Sequence, residues 1–253
     1  NAPFVDITPE QTQQIMLQAK KNSERWRKMD LNGKTKEEIL KSFDVPAKMK
    51  IFTYEGEKDT IMKPTDSIIY YKHMLQTGMM AMEPRSGHIK AWVGGVNYKY
   101  FQYDHVGQGA RQVGSTFKPF LYATAIEQLG MSPCDSIIDS YFTMPKGKWG
   151  IDADWSPKNS DGNYRGTITL QKALANSVNT VSAKLIDRVG PKAVVDMAKE
   201  LGVTSDIPEQ PSIALGAVDI TVEQMVGAMS TFANQGVYVK PTFIIKIEDK
   251  NGV

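Results

Sequence analysis

The stretch 79–95, MMAMEPRSGHIKAWVGG, constrains the fold more than any other part of the sequence. An apolar run leads into a Pro-Arg-Ser-Gly turn, and Ile89, Ala91 and Val93 then occur at every second position. This pattern predicts a β-hairpin, because strand side chains alternate between two faces. A hairpin buries one face only, so the domain that contains it requires other elements to cover that face.

Helical patterns dominate the chain beyond residue 115. The first of them ends at Gly130, which predicts a C-cap there. Further helices are predicted where capping residues or proline precede apolar periodicity, at Thr169, Asn179, Pro191 and Thr221. The segment 241–249 predicts a final strand. The sequence therefore predicts an α+β fold with a mainly antiparallel sheet, flanking helices and a helical subdomain.

The first 60 residues predict a linker region rather than a packed core, so the main domain is expected at 61–253. Residues 8–29 predict one solvated helix, with Thr8 as N-cap and Gln11 at the capping-box position. Around the boundary, three short elements are expected: a strand at 49–54, a turn at 56–59, and a helix at 66–80 that Asp66 caps.

Composition excludes several classes of function. The net charge is +2, and no stripe of Lys and Arg with interleaved aromatic residues is present, so a nucleic-acid partner is not expected. The three histidines are scattered and lack ligand spacing, so no metal is expected, and no cofactor motif was identified. The single cysteine, Cys134, has no partner for an intramolecular disulfide. No apolar run reaches the length of a membrane span.

A first candidate for chemistry lies in 113–120, VGSTFKPF, where Ser115 precedes Lys118 by three residues. On a helix these two side chains share a face. A serine hydroxyl becomes a nucleophile when a nearby base takes its proton, and lysine can be that base when burial keeps it neutral. Gly114 leaves room for a substrate beside the serine. Ser-x-x-Lys on its own is a common pattern, and an ordinary surface lysine is the alternative.

A second candidate is Ser177-Val-Asn179, at the junction of two helical patterns. A loop there can project both polar side chains into a cleft. The serine could relay a proton from the lysine, and the asparagine could hold the lysine and contact a substrate amide. The alternative is that Asn179 only caps the next helix. Ser-x-x-Lys followed by Ser-x-Asn in this order is far more specific than either motif alone.

Four stretches that contain these motifs resemble the transpeptidase domain of class A, bifunctional penicillin-binding proteins. They run in the family's order over about residues 68–242: MAMEPRSGHIKAWVGG, ARQVGSTFKPFLYATAIEQ, WSPKNSDGNYRGTITLQKALANSVNT and IALGAVDITVEQMVGAMSTFANQGVYVKP. The resemblance implies a fold similar to penicillin-binding proteins and serine β-lactamases. It also implies a D,D-transpeptidase that cross-links peptidoglycan and is acylated by β-lactams.

The resemblance assigns roles by position. Ser115 would attack the D-Ala-D-Ala carbonyl of a stem peptide, and Lys118 would be its general base. Ser177 and Asn179 would form the second motif. Substrate-binding candidates are Gly114, Thr180 and Trp155, although packing is the stronger expectation for the tryptophan.

The family's third motif, Lys or Arg then Thr or Ser then Gly, was not found in 180–253. The resemblance implies that this motif and further strands follow Val253. Arg85-Ser-Gly87 has the right letters, but it precedes Ser115 and predicts only a turn. The family also implies a longer parent protein, with a glycosyltransferase domain and a membrane anchor before this segment. The transpeptidase would then work on the periplasmic side of the membrane.

Two alternatives remain open from sequence. One is a serine β-lactamase, for which no deacylating base could be identified. The other is a non-catalytic β-lactam sensor or scaffold. The lifetime of a penicillin adduct separates these classes, because a β-lactamase releases the adduct quickly and a transpeptidase holds it.

Overall fold

The computed structural model describes residues 7–250 and 252, and these residues form two compact units, divided between Gln76 and Thr77. The boundary predicted near residue 60 therefore lies instead between Gln76 and Thr77. The first unit also has buried apolar side chains of its own, at Ile39, Phe43 and Ile51, where the sequence predicts only a linker. These side chains are spread over a polar stretch, which hides the small core from a pattern search.

Within residues 7–76, the first unit has four helices and one hairpin: α1 (Pro9–Asn22), α2 (Glu24–Leu31), α3 (Lys36–Ser42), β1 (Ala47–Thr53), β2 (Gly56–Met62) and α4 (Pro64–His73). The capping box at the start of α1 is confirmed, because Thr8 and Gln11 exchange side-chain and main-chain hydrogen bonds. The single helix predicted for 8–29 is broken at Ser23. There Ser23 ends α1 and caps α2 by accepting from the Trp26 N–H.

The predicted strand at 49–54 is present as β1, but the predicted turn at 56–59 is wrong. Those residues belong to β2, which pairs antiparallel with β1 from Ala47↔Met62 to Thr53↔Gly56. The strand is mostly exposed, so its polar residues carry no alternation. The helix predicted at 66–80 begins earlier and ends at His73, and Lys63 rather than Asp66 is its N-cap.

The second unit contains the remaining elements: β3 (Met79–Met82), β4 (Ile89–Val93), β5 (Arg111–Gln112), α5 (Lys118–Leu129), β6 (Ser136–Asp139), β7 (Gly166–Thr169), α6 (Leu170–Ala175), α7 (Asn179–Val189), α8 (Pro191–Glu200), β8 (Asp219–Ile220) and α9 (Val222–Ala233). Strands β3 and β4 form the predicted hairpin, and every strand pair among the described residues is antiparallel. The α+β class is confirmed. The strands form separate two-stranded sheets, however, rather than one sheet.

The core of the second unit lies where helices α5, α7 and α8 pack together. Side chains with no solvent exposure include Phe117, Phe120, Leu121, Leu185 and Ile186. Helix α5 ends as predicted at Gly130, which has the left-handed conformation with φ of 62°. The core therefore forms around the helix that begins at Lys118.

The strand predicted at 241–249 is present only as one bridge, from Thr242 to His88. Its apolar side chains Phe243, Ile244, Ile245 and Ile247 are exposed. No helix among residues 7–250 has the length and apolar character to cross a membrane.

Candidate active site

Ser115 lies in a 3₁₀ turn, Gly114–Phe117, that leads directly into α5. The turn begins at Gly114 with φ of 56°, a left-handed conformation that favours glycine. Ser115 is exposed, whereas Lys118 at the start of α5 has no exposed surface. Phe117 and Phe120, close to Lys118 in sequence, are also fully buried. The predicted motif is therefore built with an accessible hydroxyl and a buried amine.

The turn that carries Ser115 is attached to the segment 216–218. The Gly114 N–H donates to the Gly216 carbonyl at 3.0 Å, and the Val113 N–H donates to Val218 at 3.0 Å. A Cβ at Gly216 would lie 1.8 Å from the Gly114 carbonyl oxygen. Gly216 also has φ of 74°. Only glycine permits this approach, and no local pattern in the sequence singles out this position.

The amine of Lys118 is held by the second motif, 59 and 61 residues further along the chain. Its Nζ donates to the main-chain carbonyl of Ser177 at 2.7 Å and to Asn179 Oδ1 at 2.7 Å. Ser177 Oγ lies 3.0 Å from the same nitrogen. Ser177 has φ of 53°, unusual for a residue other than glycine, and such strain is concentrated at functional sites.

This geometry suits both protonation states of Lys118. The charged amine has three N–H donors for the three oxygen atoms around it. The neutral amine keeps two donors for the carbonyl oxygens, and its lone pair can then accept the Ser177 O–H. Burial lowers the pKa of Lys118 from 10.5 to about 8, so a neutral fraction is present near neutral pH.

Ser115 Oγ makes no hydrogen bond to Lys118 among residues 7–250. Hydrogen bonds of catalytic groups are often long before a substrate binds, and an exposed serine can rotate. The structure thus brings Lys118, Ser177 and Asn179 into direct contact and places Ser115 one turn away on the same segment.

Asn179 does not cap α7. The N-cap position is Val178, which provides no side-chain hydrogen bond, and Asn179 is the first helical residue. Its amide is therefore available to Lys118, and its Nδ2 donates to the Lys158 carbonyl at 2.9 Å.

The contact of Thr180 with substrate stays a prediction, and its side chain points away from solvent. Thr180 is fully buried, and its hydroxyl donates to Asp139 Oδ1 at 2.5 Å. Trp155 is half-buried and packs against the core, in line with the packing role expected for it. Its predicted place in the wall of a substrate cleft stays a prediction.

The sequence reasoning missed two residues behind this site. Asp139 is 1% exposed at the end of β6, and Asn159 is 6% exposed in the loop before β7. Asn159 bridges Asp139 and the start of α7. No sequence signal marked Asp139, because β6 has only four residues and forms by pairing with the distant strand β7.

Arg85-Ser-Gly87 lies in the turn of the β3–β4 hairpin, as predicted. Ser86 Oγ donates to Glu83 within that turn at 2.7 Å. Within residues 7–250 and 252, no cluster of three His, Cys, Asp or Glu side chains could hold a metal ion.

Comparison with known proteins gives two family matches along the chain. Residues 1–75 match the penicillin-binding protein middle domain, and residues 77–252 match the penicillin binding protein transpeptidase domain. The division between them coincides with the boundary between the two compact units.

Curated relatives include penicillin-binding protein 1A of Aquifex aeolicus, which is 39% identical over 181 residues. That alignment covers 70% of this chain and 24% of the relative. Penicillin-binding protein 1A of Neisseria flavescens is 37% identical over 180 residues, with 71% and 22% covered. The chain thus spans about a quarter of the length of these relatives.

Two solved structures are similar in fold. Penicillin-binding protein 1A from Haemophilus influenzae has a TM-score of 0.66 and 27% identity, and the match covers 80% of this chain and 28% of that one. The penicillin-binding protein PonA1 from Mycobacterium tuberculosis has a TM-score of 0.60 and 28% identity, with 70% and 49% covered.

Proposed function

This chain belongs to the penicillin-binding protein transpeptidase family, and from that premise we propose that it carries the D,D-transpeptidase centre of a peptidoglycan-synthesising enzyme. The observation that carries the proposal is the buried Lys118 amine, which Ser177 and Asn179 hold one turn from an exposed serine. A buried lysine with a lowered pKa beside a serine is what nucleophilic activation requires.

In the proposed reaction, Ser115 Oγ attacks the carbonyl carbon of the penultimate D-Ala of a stem peptide. Lys118 Nζ takes the hydroxyl proton as the new C–O bond forms. The amide C–N bond then breaks, and the amine of the terminal D-Ala leaves with a proton. Ser177 Oγ, 3.0 Å from Lys118 Nζ, relays that proton from the lysine to the leaving amine. The product is an ester between Ser115 and the shortened peptide.

The second half of the reaction transfers the peptide to another strand. An amino group of a neighbouring stem peptide attacks the ester carbonyl, Ser115 Oγ leaves and regains its proton, and a cross-link forms. β-Lactams enter the same first step. Opening of the ring keeps the amine attached to the acyl group, so the adduct carries the whole mass of the drug.

The parent protein is proposed to work on the periplasmic side of the cytoplasmic membrane. It would be anchored there through a preceding segment and would also carry a glycosyltransferase domain. Support comes from the likeness to penicillin-binding protein 1A sequences, of which this chain covers about a quarter.

The proposal is tested by the intact mass of the full-length gene product after incubation with benzylpenicillin. We expect one adduct per chain in the unmodified protein and none in Ser115→Ala. Ser86→Ala removes a serine from the turn that imitates the third motif, and it should be acylated like the unmodified protein. The same measurement on the 253-residue chain alone then shows whether this segment can be acylated by itself.

The lifetime of the adduct separates the remaining enzyme classes. A transpeptidase without an acceptor amine should keep its adduct for at least many minutes, whereas a β-lactamase would release it within seconds. A folded protein that gains no adduct would favour a scaffold and would reject Ser115 as a nucleophile.

A further inference from the structure

We infer that Asp139 and Asn159 are positioning residues that hold the first turn of α7 so that the amide oxygen of Asn179 faces Lys118. The inference rests on the proposed function and adds to it a buried polar network that neither motif contains. Neither residue makes a hydrogen bond to Lys118 within residues 7–250, so their effect passes through Asn179.

The start of α7 depends on Asn159. A helix begins with main-chain N–H groups that have no partner within the helix, and a side chain at the N-cap usually accepts from them. Val178 occupies that position and cannot. Asn159 Oδ1 accepts instead from the N–H groups of Asn179 at 2.9 Å and Thr180 at 3.2 Å. A residue from a distant loop thus caps the helix and fixes the position of its first turn.

The amide of Asn159 can take only one orientation. Its Nδ2 donates to Asp139 Oδ1 at 2.9 Å and to the Asn163 carbonyl at 2.8 Å. Its Oδ1 faces only N–H donors from α7. A flipped amide would set donor against donor and acceptor against acceptor on both sides, which is costly in a buried site.

Asp139 holds both partners of the contact between Asn159 and the start of α7. Its buried carboxylate accepts from Asn159, from the Thr180 hydroxyl and from the Arg165 N–H at 2.9 Å. Burial alone would raise the pKa of Asp139, but the hydrogen bonds from Thr180, Asn159 and Arg165 outweigh that effect and lower it. The carboxylate therefore stays ionised and binds its donors strongly.

The network reaches Lys118 through one more residue. Asn179 Nδ2 donates to the carbonyl of Lys158, the residue before Asn159. That contact leaves Asn179 Oδ1 to accept from Lys118 at 2.7 Å. Asn159 thus sets both the main chain of Asn179 and the carbonyl that orients its side chain. Hydrogen bonds connect Asp139, Asn159, Asn179 and Lys118 in sequence.

The test is a double-mutant cycle on the acylation rate of the full-length protein with benzylpenicillin. Asn159→Ala should slow acylation by about 10- to 100-fold, because misplacement by about 1 Å can cost that much. In an Asn179→Ala background, the same change should slow it further by no more than about threefold, because the residue it acts through is gone. Asp152→Asn removes an exposed carboxylate from the loop between β6 and β7 that takes no part in these hydrogen bonds, and it should leave the rate unchanged.

Thermal unfolding of each variant establishes that rates are compared between folded proteins. If Asn159→Ala does not fold, Asp139→Asn replaces it in the cycle, since it keeps the side-chain volume and leaves Asn159 in place. If the substitution reduces the acylation rate by the same factor in both backgrounds, its effect is generally structural and the inference is overturned. An unchanged acylation rate in Asn159→Ala would overturn it as well. If the unmodified protein is acylated normally, both of these contradicting results leave the proposed function intact. No acylation of the unmodified protein at Ser115 would reject both.

Discussion

Among single residues, Lys118 gives the strongest indication of a catalytic site. An amine with no exposed surface and oxygen atoms on three sides is not an ordinary surface charge. Burial disfavours its charged form, and the surrounding oxygens accept from it without supplying a full negative charge. Its pKa therefore falls towards the pH at which the protein would act.

The pH dependence of acylation should report this lysine. Lys118 can accept a proton only when neutral, and its pKa is about 8. The acylation rate should therefore rise about tenfold per pH unit below pH 8 and level off above it. Rates of adduct formation with benzylpenicillin between pH 6 and 9.5 measure this directly.

Lys192→Met is the matched control, because it removes an exposed lysine whose ion pair with Asp196 raises its pKa. That variant should keep the midpoint near pH 8. A rate independent of pH from 6 to 9.5 would contradict the role of Lys118 as base.

The sequence indicated the residues of both motifs, because their spacing on a helix and their order along the chain are local features. It could not indicate Asp139 or Asn159. Their importance comes from contacts made across 20 to 41 positions in sequence, which no local pattern encodes. Thr180 shows the same limit, since its place beside the second motif did not show that its side chain points inward.

At the scale of elements, the turn that carries Ser115 depends on Gly216. A Cβ there would overlap the Gly114 carbonyl, and φ of 74° is itself unfavourable for any other residue. Gly216→Ala should lower the free energy of unfolding by about 2–5 kcal/mol. It should also slow acylation by at least about tenfold, because the turn must shift. Denaturant unfolding and the acylation rate measure the two effects.

Gly130→Ala separates backbone strain from the displaced turn. Gly130 has φ of 62° but faces open space at the end of α5. Its replacement should cost about 1–2 kcal/mol and leave acylation of the folded protein unchanged. Equal acylation rates in the two variants would show that the contact between Gly216 and Gly114 does not position Ser115.

Elements with local signals were predicted well. The capping box at Thr8, the β3–β4 hairpin and the C-cap at Gly130 all follow from a few neighbouring residues. Strands β2 and β6 were missed for a physical reason, since β2 is largely exposed and β6 has only four residues. Tertiary pairing, rather than the residues' own preference, forms such strands.

At the scale of the whole molecule, the two units have separate cores and separate family matches. The sequence placed the boundary too early because the first unit mixes a few buried side chains into a polar stretch. The second unit has a large core around α5, α7 and α8, and the candidate site lies where α5 and α7 begin. The packing of this core should therefore supply the stability that offsets unfavourable backbone conformations at the site, such as that of Ser177.

Leu185→Ala tests that core. Leu185 has no exposed surface in α7, and its truncation should lower the free energy of unfolding by about 2–5 kcal/mol. Leu129→Ala, at the 41% exposed end of α5, should cost less than about 1 kcal/mol. Denaturant unfolding of both variants checks the difference. A similar loss in both would mean that the helices do not pack as described.

In the proposed reaction, Lys118 activates Ser115. The most direct measurement is tandem mass spectrometry of the full-length protein after benzylpenicillin treatment at pH 8, on unmodified protein and on folded Lys118→Met. We expect the penicilloyl group on Ser115 alone in the unmodified protein and no adduct in Lys118→Met over the same time. An adduct on a different residue, or acylation of Lys118→Met at the unmodified rate, would contradict the claim.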